Sequence, residues 1–160
     1  MPIIKYQRFL NLTLFFCIFV LISAYFIQYI LGHQPCNLCL IERVPYISAI
    51  TIILSCFYLK KFEKICMICL SLIFFFATIV SFYHFGIEQG FIKESLVCNL
   101  NAGEKILNSE ELLQKLKEKT VSCKDVTFKI FGLSLASINV IISLILSTVT
   151  MKYFLNYEKN

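Results

Sequence analysis

The sequence predicts an all-α polytopic membrane protein, a four-transmembrane-helix bundle with two outer loops. Three observations predict it. Hydrophobic residues make up 58% of the 160, and mean hydropathy is +0.76, whereas a water-soluble domain is closer to half apolar. Four uncharged apolar stretches recur, from Phe9 to Leu31, Val44 to Leu59, Ile65 to Ile87 and Ile130 to Met151. Lys and Arg gather in alternate connecting segments. The length allows a single membrane domain over residues 1–160. The net charge of +5 is spread thinly beside the spans and calls for no nucleic-acid partner.

A hydrocarbon core about 30 Å thick takes about 20 helical residues. The first stretch, 9–31, meets that length. Lys5 and Arg8 precede it as in a secretory leader, but the apolar run exceeds a leader's core and no small-x-small cleavage site follows. It is expected to be retained. The second stretch is short by about a turn and should borrow residues upstream, giving a span over about 40–59. That draws Glu42 and Arg43 toward the membrane boundary. The third span is expected over 65–87 and the fourth over 130–151. The outer loops are then 32–43 and 88–129.

Within the long loop, Asn108-Ser109-Glu110-Glu111 has the form of a capping box. Leu112, Leu113 and Leu116 would share one face of the short helix it starts. That helix could lie on the membrane surface or pack as an ordinary loop helix. In the fourth span Gly132, Ala136, Asn139, Ser143 and Ser147 fall on one face. Small residues let helices approach closely in lipid, so this stripe is read as the bundle-facing side, structural and without chemistry.

Orientation follows from short-loop cations. The N-terminal tail carries Lys5 and Arg8, the second connection carries Lys60, Lys61 and Lys64, and the C-terminal tail carries Lys152 and Lys159. These segments are expected in the cytoplasm, which puts both termini there. In the segment 88–129, lysines and acids balance.

Eight cysteines divide by side. Cys17, Cys56, Cys66 and Cys69 fall within the spans or at their inner ends, facing the reducing compartment. They are read as packing residues, although Cys66 and Cys69 also have C-x-x-C spacing. Cys36, Cys39, Cys98 and Cys123 fall in the outer loops, one pair in each. Cys36-Asn37-Leu38-Cys39 can close a small, exchange-active ring, or serve a metal. A helix starting there would stabilise a thiolate through its dipole. Cys98 and Cys123, far apart in a polar loop, could staple that loop or act as a second exchange pair.

Arg43 lies one helical turn after Cys39. A charge at the membrane edge is costly unless it snorkels or has a partner. Arg43 could reach headgroups, or donate to a quinone carbonyl beside the redox sulfur and stabilise developing negative charge. Glu42 could pair with Arg43 or face water. His33 and His84 both lie toward the outer boundary. They could bracket a haem, but an interfacial histidine needs no cofactor.

Pro35-Cys36-Asn37-Leu38-Cys39-Leu40-Ile41-Glu42-Arg43 resembles the P-C-x-L-C-x-x-[QE]-R signature of the DsbB disulfide-bond-formation proteins. Tyr83-His84-Phe85-Gly86-Ile87-Glu88 resembles the Y-H-x-G-x-E segment at the end of their third span. Ser122-Cys123, followed by Phe131-Gly132-Leu133-Ser134-Leu135-Ala136 and Asn139, resembles their entry into the fourth. The resemblance runs in order along most of the chain. It departs in having no Trp and in the Cys66/Cys69 pair.

The resemblance implies a membrane oxidoreductase of the bacterial inner membrane. Such a protein reoxidises a periplasmic thioredoxin-fold dithiol oxidase (DsbA-like) and passes the electrons to the quinone pool, ubiquinone or menaquinone. It implies that Cys98 forms the mixed disulfide with the partner, and that Cys123 pairs with Cys98 and exchanges with Cys36. Cys39 would be the sulfur that contacts quinone. Arg43 would lie beside the quinone ring, with His84 near the same site. No resident metal is expected, because a zinc site built from the four outer cysteines would need them all reduced outside the cytoplasm. A vitamin K epoxide reductase-like protein also has four helices and two cysteine pairs, but there the C-x-x-C follows the loop pair. Here it precedes the second span.

Overall fold

The structure, a computed structural model, describes residues 2–58, 63–93, 98, 122–124, 129–130 and 132–158. Helix α1 is Pro2–Tyr29. It ends where Ile30 and Leu31 N–H both donate to Phe26 O and Gly32 takes a φ of 72°, a left-handed conformation natural to glycine at a helix end. The chain then runs extended through Pro35 to Cys36, which caps a short helix, α2, Asn37–Ile41.

Helix α3, Val44–Tyr58, follows after a two-residue break. Pro45 accounts for the break: it has no N–H to give Ile41 O, and its ring crowds that carbonyl. Arg43 N–H still reaches Leu40 O at 3.2 Å, and Ile47 N–H reaches Arg43 O at 3.1 Å. The path therefore continues as one apolar unit, Asn37–Tyr58, long enough to cross a membrane.

Helix α4, Glu63–Glu88, is the third long helix. Gly90 (φ 76°) turns the chain back, and Phe91 and Ile92 N–H donate to Gly86 O at 2.9 and 3.1 Å. A Cβ at Gly86 would lie 2.7 Å from Ile92 Cδ1, so a larger residue there would have to push the Ile92 side chain aside.

Strands β1, Lys129–Ile130, and β2, Leu133–Ser134, pair antiparallel as a small hairpin. Helix α5, Leu135–Glu158, completes the bundle. Ser134 Oγ accepts the Ser137 N–H at 3.2 Å, an N-cap that fixes where α5 begins. The fourth helical span is thus Leu135–Asn156 rather than 130–151. The apolar run upstream is spent on the hairpin, and Gly132 (φ 83°) sits in its turn rather than on the helix stripe. The other apolar helical stretches are Tyr6–Tyr29 and Lys64–Glu88. The short helix expected near Asn108 lies outside the described residues.

The protein is a four-helix membrane bundle. Helices α4 and α5 make its most extensive contact, α3 packs on α4, and α1 packs on α3. Leu10, Ile53, Met67, Leu70 and Phe74 are buried in the core, while Phe15, Phe75, Phe76 and Ile145 face outward. An apolar rim around a polar-stitched interior suits lipid as solvent.

The α4–α5 seam is that stitching. Ser71 Oγ donates to Ser147 O at 3.4 Å and Ser147 Oγ returns a bond to Ser71 O at 3.2 Å. Thr78 Oγ1 donates to Ser143 Oγ at 3.1 Å. Ser143 is fully buried, so size should matter more there than the hydroxyl. Ser143→Ala is expected to cost about 0.6 kcal/mol, the mean for one interhelical hydrogen bond in a membrane. Ser143→Leu should cost about 1–3 kcal/mol by overpacking. Thermal midpoints in detergent check the order, and equal losses would refute it.

At the end of the bundle opposite Cys36, a disulfide joins Cys56 on α3 to Cys66 on α4. This pairing corrects the expectation from sequence that both are packing residues. The short connection between two antiparallel helices brings their ends together, and with them these two thiols. Cys17 and Cys69 are free, Cys17 fully buried.

Candidate functional site

Cys36 is the N-cap of α2, and its Sγ accepts the Cys39 N–H at 3.3 Å. The same half-turn brings the two sulfurs to 2.7 Å. Cys98 and Cys123 form a disulfide that packs into one buried cluster with Cys36, Leu38 and Ile87, flanked by Cys39, Ile41 and Tyr83. Asn37 Nδ2 donates to Cys98 O at 3.4 Å, tying the loop pair to the start of α2. Both pairs therefore meet at one end of the bundle.

Beneath them lies a polar chain that crosses three helices. His84 on α4 places Nε2 3.5 Å from Cys36 Sγ and Nδ1 2.8 Å from Glu42 Oε1. Asn139 on α5 donates from Nδ2 to Glu42 Oε2 at 2.9 Å and to Ser81 Oγ at 2.7 Å. Tyr46 donates its hydroxyl to Asn139 Oδ1. Glu42 and His84 are 8% and 2% exposed. A buried carboxylate is tolerable only when its lone pairs are filled, and His84 and Asn139 fill them. Glu42 is thus turned inward to His84 and Asn139 rather than paired with Arg43 or exposed on the surface.

The Cys36 thiol is pulled well below the ordinary thiol range. The main cause is its hydrogen bond with Cys39, and His84 adds a hydrogen bond and its charge; burial opposes the shift. An ordinary thiol with a pKa of about 8.5 loses well over tenfold of its thiolate between pH 8 and pH 6. Reduced Cys36 should instead alkylate at nearly the same rate at both. Peptide mapping after iodoacetamide treatment measures that ratio, which burial does not affect. A tenfold fall for Cys36 would contradict the assignment.

Arg43 is held by α1. Its Nη1 donates to Gln28 Oε1 at 2.7 Å, and its guanidinium lies 4.9 Å from the Tyr25 ring centroid. These contacts hold it at the wall of a cavity of about 440 Å³. Cys36, Cys39, Glu42, Arg43 and His84 line that cavity, as do His33 and Cys123; Phe19, Val20, Leu21 and Ile142 extend it along α1 and α5. It is mostly apolar, with a few convergent polar groups, as small-molecule sites are.

The six residues singled out from sequence thus gather at one end of the bundle. Cys36, Cys39, Arg43, His84 and Cys123 line the cavity, and Cys98 packs beside it. Sequence reasoning missed Glu42 as an internal partner of His84. It also read Asn139 as merely structural, whereas Asn139 joins Glu42, Ser81 and Tyr46. A polar amide within an apolar span was the available signal, since such groups are costly in lipid without a partner.

A four-helix membrane bundle with two cysteine pairs converging over an apolar cavity has the build of an intramembrane thiol–disulfide protein. Residues 6–152 match the profile of the family described as disulfide bond formation protein DsbB. The chain belongs to the DsbB family, with its oxidoreductase role in disulfide formation. A relative from Rickettsia prowazekii (strain Madrid E), named Uncharacterized protein RP370, is 29% identical over 150 residues, covering 89% of this chain and 86% of its own length.

Proposed function

We propose that this protein reoxidises a periplasmic thioredoxin-fold dithiol oxidase (DsbA-like) and passes the electrons through its two cysteine pairs to quinone. In this reading it sits in the bacterial inner membrane with both termini in the cytoplasm. One observation carries the proposal: Cys36 packs against the Cys98–Cys123 disulfide on one side and opens onto the apolar cavity with Cys39 on the other.

The cavity suits a quinone. Its volume lies within the range of ordinary ligand sites, its walls are apolar, and Arg43 offers a fixed donor at the end where the cysteines lie. Arg43 would hold a carbonyl oxygen and the α1 and α5 side chains would hold the ring and tail. A bound quinone supplies a two-electron, two-proton acceptor.

The protein's own residues do the rest. Cys98 takes the partner's attacking thiolate into a mixed disulfide and releases Cys123. Cys123 attacks Cys36, breaks the Cys36–Cys39 bond and frees Cys39 as a thiolate in the cavity. The partner's second thiol displaces Cys98 and leaves oxidised. Cys98 then attacks Cys123, restoring the loop pair and freeing Cys36. His84 stands within reach of the Cys36 proton and can hold it at Nε2, with Glu42 fixing the ring through Nδ1–H. Cys36 and Cys39 re-form their bond as two electrons and two protons leave. In sum, one partner dithiol becomes a disulfide and one quinone becomes a quinol.

The test is quinone reduction by the detergent-purified protein, with a reduced thioredoxin-like dithiol as donor. Turnover that stops when either reactant is withheld is expected. A well-folded protein inert with ubiquinone and menaquinone analogues alike would overturn the proposal.

A further inference from the structure

Glu88, the last residue of α4, has a side chain only 7% exposed, and its Oε2 has no hydrogen-bond partner. Its Oε1 lies 3.8 Å from His84 Nε2. Disulfide exchange gives this carboxylate no task; Ser134 hydrogen-bonds to it, but Oε2 remains a buried acceptor without a donor, which is unfavourable. A cation would satisfy it.

Through that approach to His84, Glu88 adjoins a group of three further donors. Cys36 Sγ, Cys39 Sγ and a ring nitrogen of His84 lie within 4.8 Å of one another. With metal–sulfur bonds of about 2.3 Å and metal–nitrogen bonds of about 2.0–2.1 Å, tetrahedral zinc sets sulfur and nitrogen roughly 3.5 Å apart. Cys36 Sγ and His84 Nε2 are 3.5 Å apart. Two zinc-bound sulfurs lie roughly 3.8 Å apart, and the pair at 2.7 Å can open to that separation once it is reduced. The other nitrogen of His84 is already bonded to Glu42 at 2.8 Å. That carboxylate–histidine arrangement commonly orients a metal-ligating imidazole and selects its free nitrogen.

We propose that the reduced protein holds a site for zinc, or another borderline-soft divalent cation, made by Cys36 Sγ, Cys39 Sγ, His84 Nε2 and the Glu88 carboxylate. Oxidation of the cysteine pair removes two of the four donors, so the site exists in only one redox state. Metal entry releases the remaining thiol protons and shields both sulfurs from reaction. This site differs from one built of the four outer cysteines, because the loop pair takes no part. It shares Cys36, Cys39 and His84 with the proposed electron route but needs neither quinone nor partner protein, so its test stands or falls separately from that proposal.

The experiment uses the intact wild-type protein in detergent, reduced with a phosphine and desalted. One equivalent of zinc is added and free thiols are alkylated and mapped. Cys36 and Cys39 are expected to be protected at least tenfold and to become reactive again with a chelator. Cobalt(II) in place of zinc should give thiolate charge-transfer bands and the visible bands of a tetrahedral ion, and these should be missing from the oxidised protein. Glu88→Gln should weaken cobalt binding tenfold or more while tetrahedral character persists. Protection that falls on Cys66 and Cys69, or on Cys98 and Cys123, would overturn the assignment. So would cobalt spectra identical in the oxidised and reduced protein.

Discussion

Glu42→Gln is expected to lower quinone-coupled turnover by about 10²-fold, in the range typical of lost general acid–base assistance. The carboxylate accepts from His84 Nδ1 and Asn139 Nδ2 at once. A glutamine at the same place can offer only one acceptor atom and brings an NH₂ group against a donor. His84 can relieve that clash by moving its proton to Nε2, leaving Nδ1 to accept. Nε2 then carries the hydrogen and can no longer take one from Cys36. Glu42 acts through His84, so the variant should also raise the pH at which Cys36 alkylates. A merely structural loss would leave that profile in place. Glu42→Asp keeps the charge and should recover part of both. Turnover within tenfold of wild type, with the Cys36 profile unmoved, would remove His84 and Glu42 from the proton route.

Cys39→Ser is expected to reduce quinone-linked turnover to background while leaving the Cys98–Cys123 disulfide able to react once with a reduced partner. Cys98→Ser should also abolish turnover, but for the opposite reason: the partner has no disulfide to attack. Because the two pairs act in series, the double variant should be no worse than either single one. A stoichiometric burst of partner oxidation separates the two lesions, present in Cys39→Ser and missing in Cys98→Ser. If Cys39→Ser retained a tenth of wild-type turnover, another sulfur would have to be the one serving the cavity. Serine keeps an O–H donor at position 39, so the lowered Cys36 pKa should largely persist in this variant, whereas Cys39→Ala removes its main cause and should move Cys36 toward ordinary thiol behaviour.

The spans were legible because lipid imposes one rule on every helix, and that rule is written in uncharged length. It says little about ends. Hydropathy counted Ile130, Phe131 and Leu133 into the last span, but Ser134 capping and the positive φ of Gly132 begin the helix later. Within the site, Cys36, Cys39 and Arg43 were legible because seven or fewer residues separate them. Glu42, His84 and Asn139 are 42 to 97 positions apart, and only the folded bundle joins them. The Cys56–Cys66 bridge was hidden by sorting cysteines by compartment. Their near-symmetric placement about a short connection, at a separation of 10, was the stronger signal.

The cavity extends deep along α1 and α5, yet among the described residues those two helices share little contact beyond the Phe9–Tyr153 ring stack at the far end. On the proposed function, the thin side of the bundle would be a doorway that faces acyl chains, not water. A ligand dissolved in the bilayer can arrive sideways, by two-dimensional diffusion, and leave the same way. For the proposed quinone, supply would then be set by its mole fraction in the surrounding lipid rather than by its amount per litre, and diluting the protein with lipid or detergent would act as a loss of substrate.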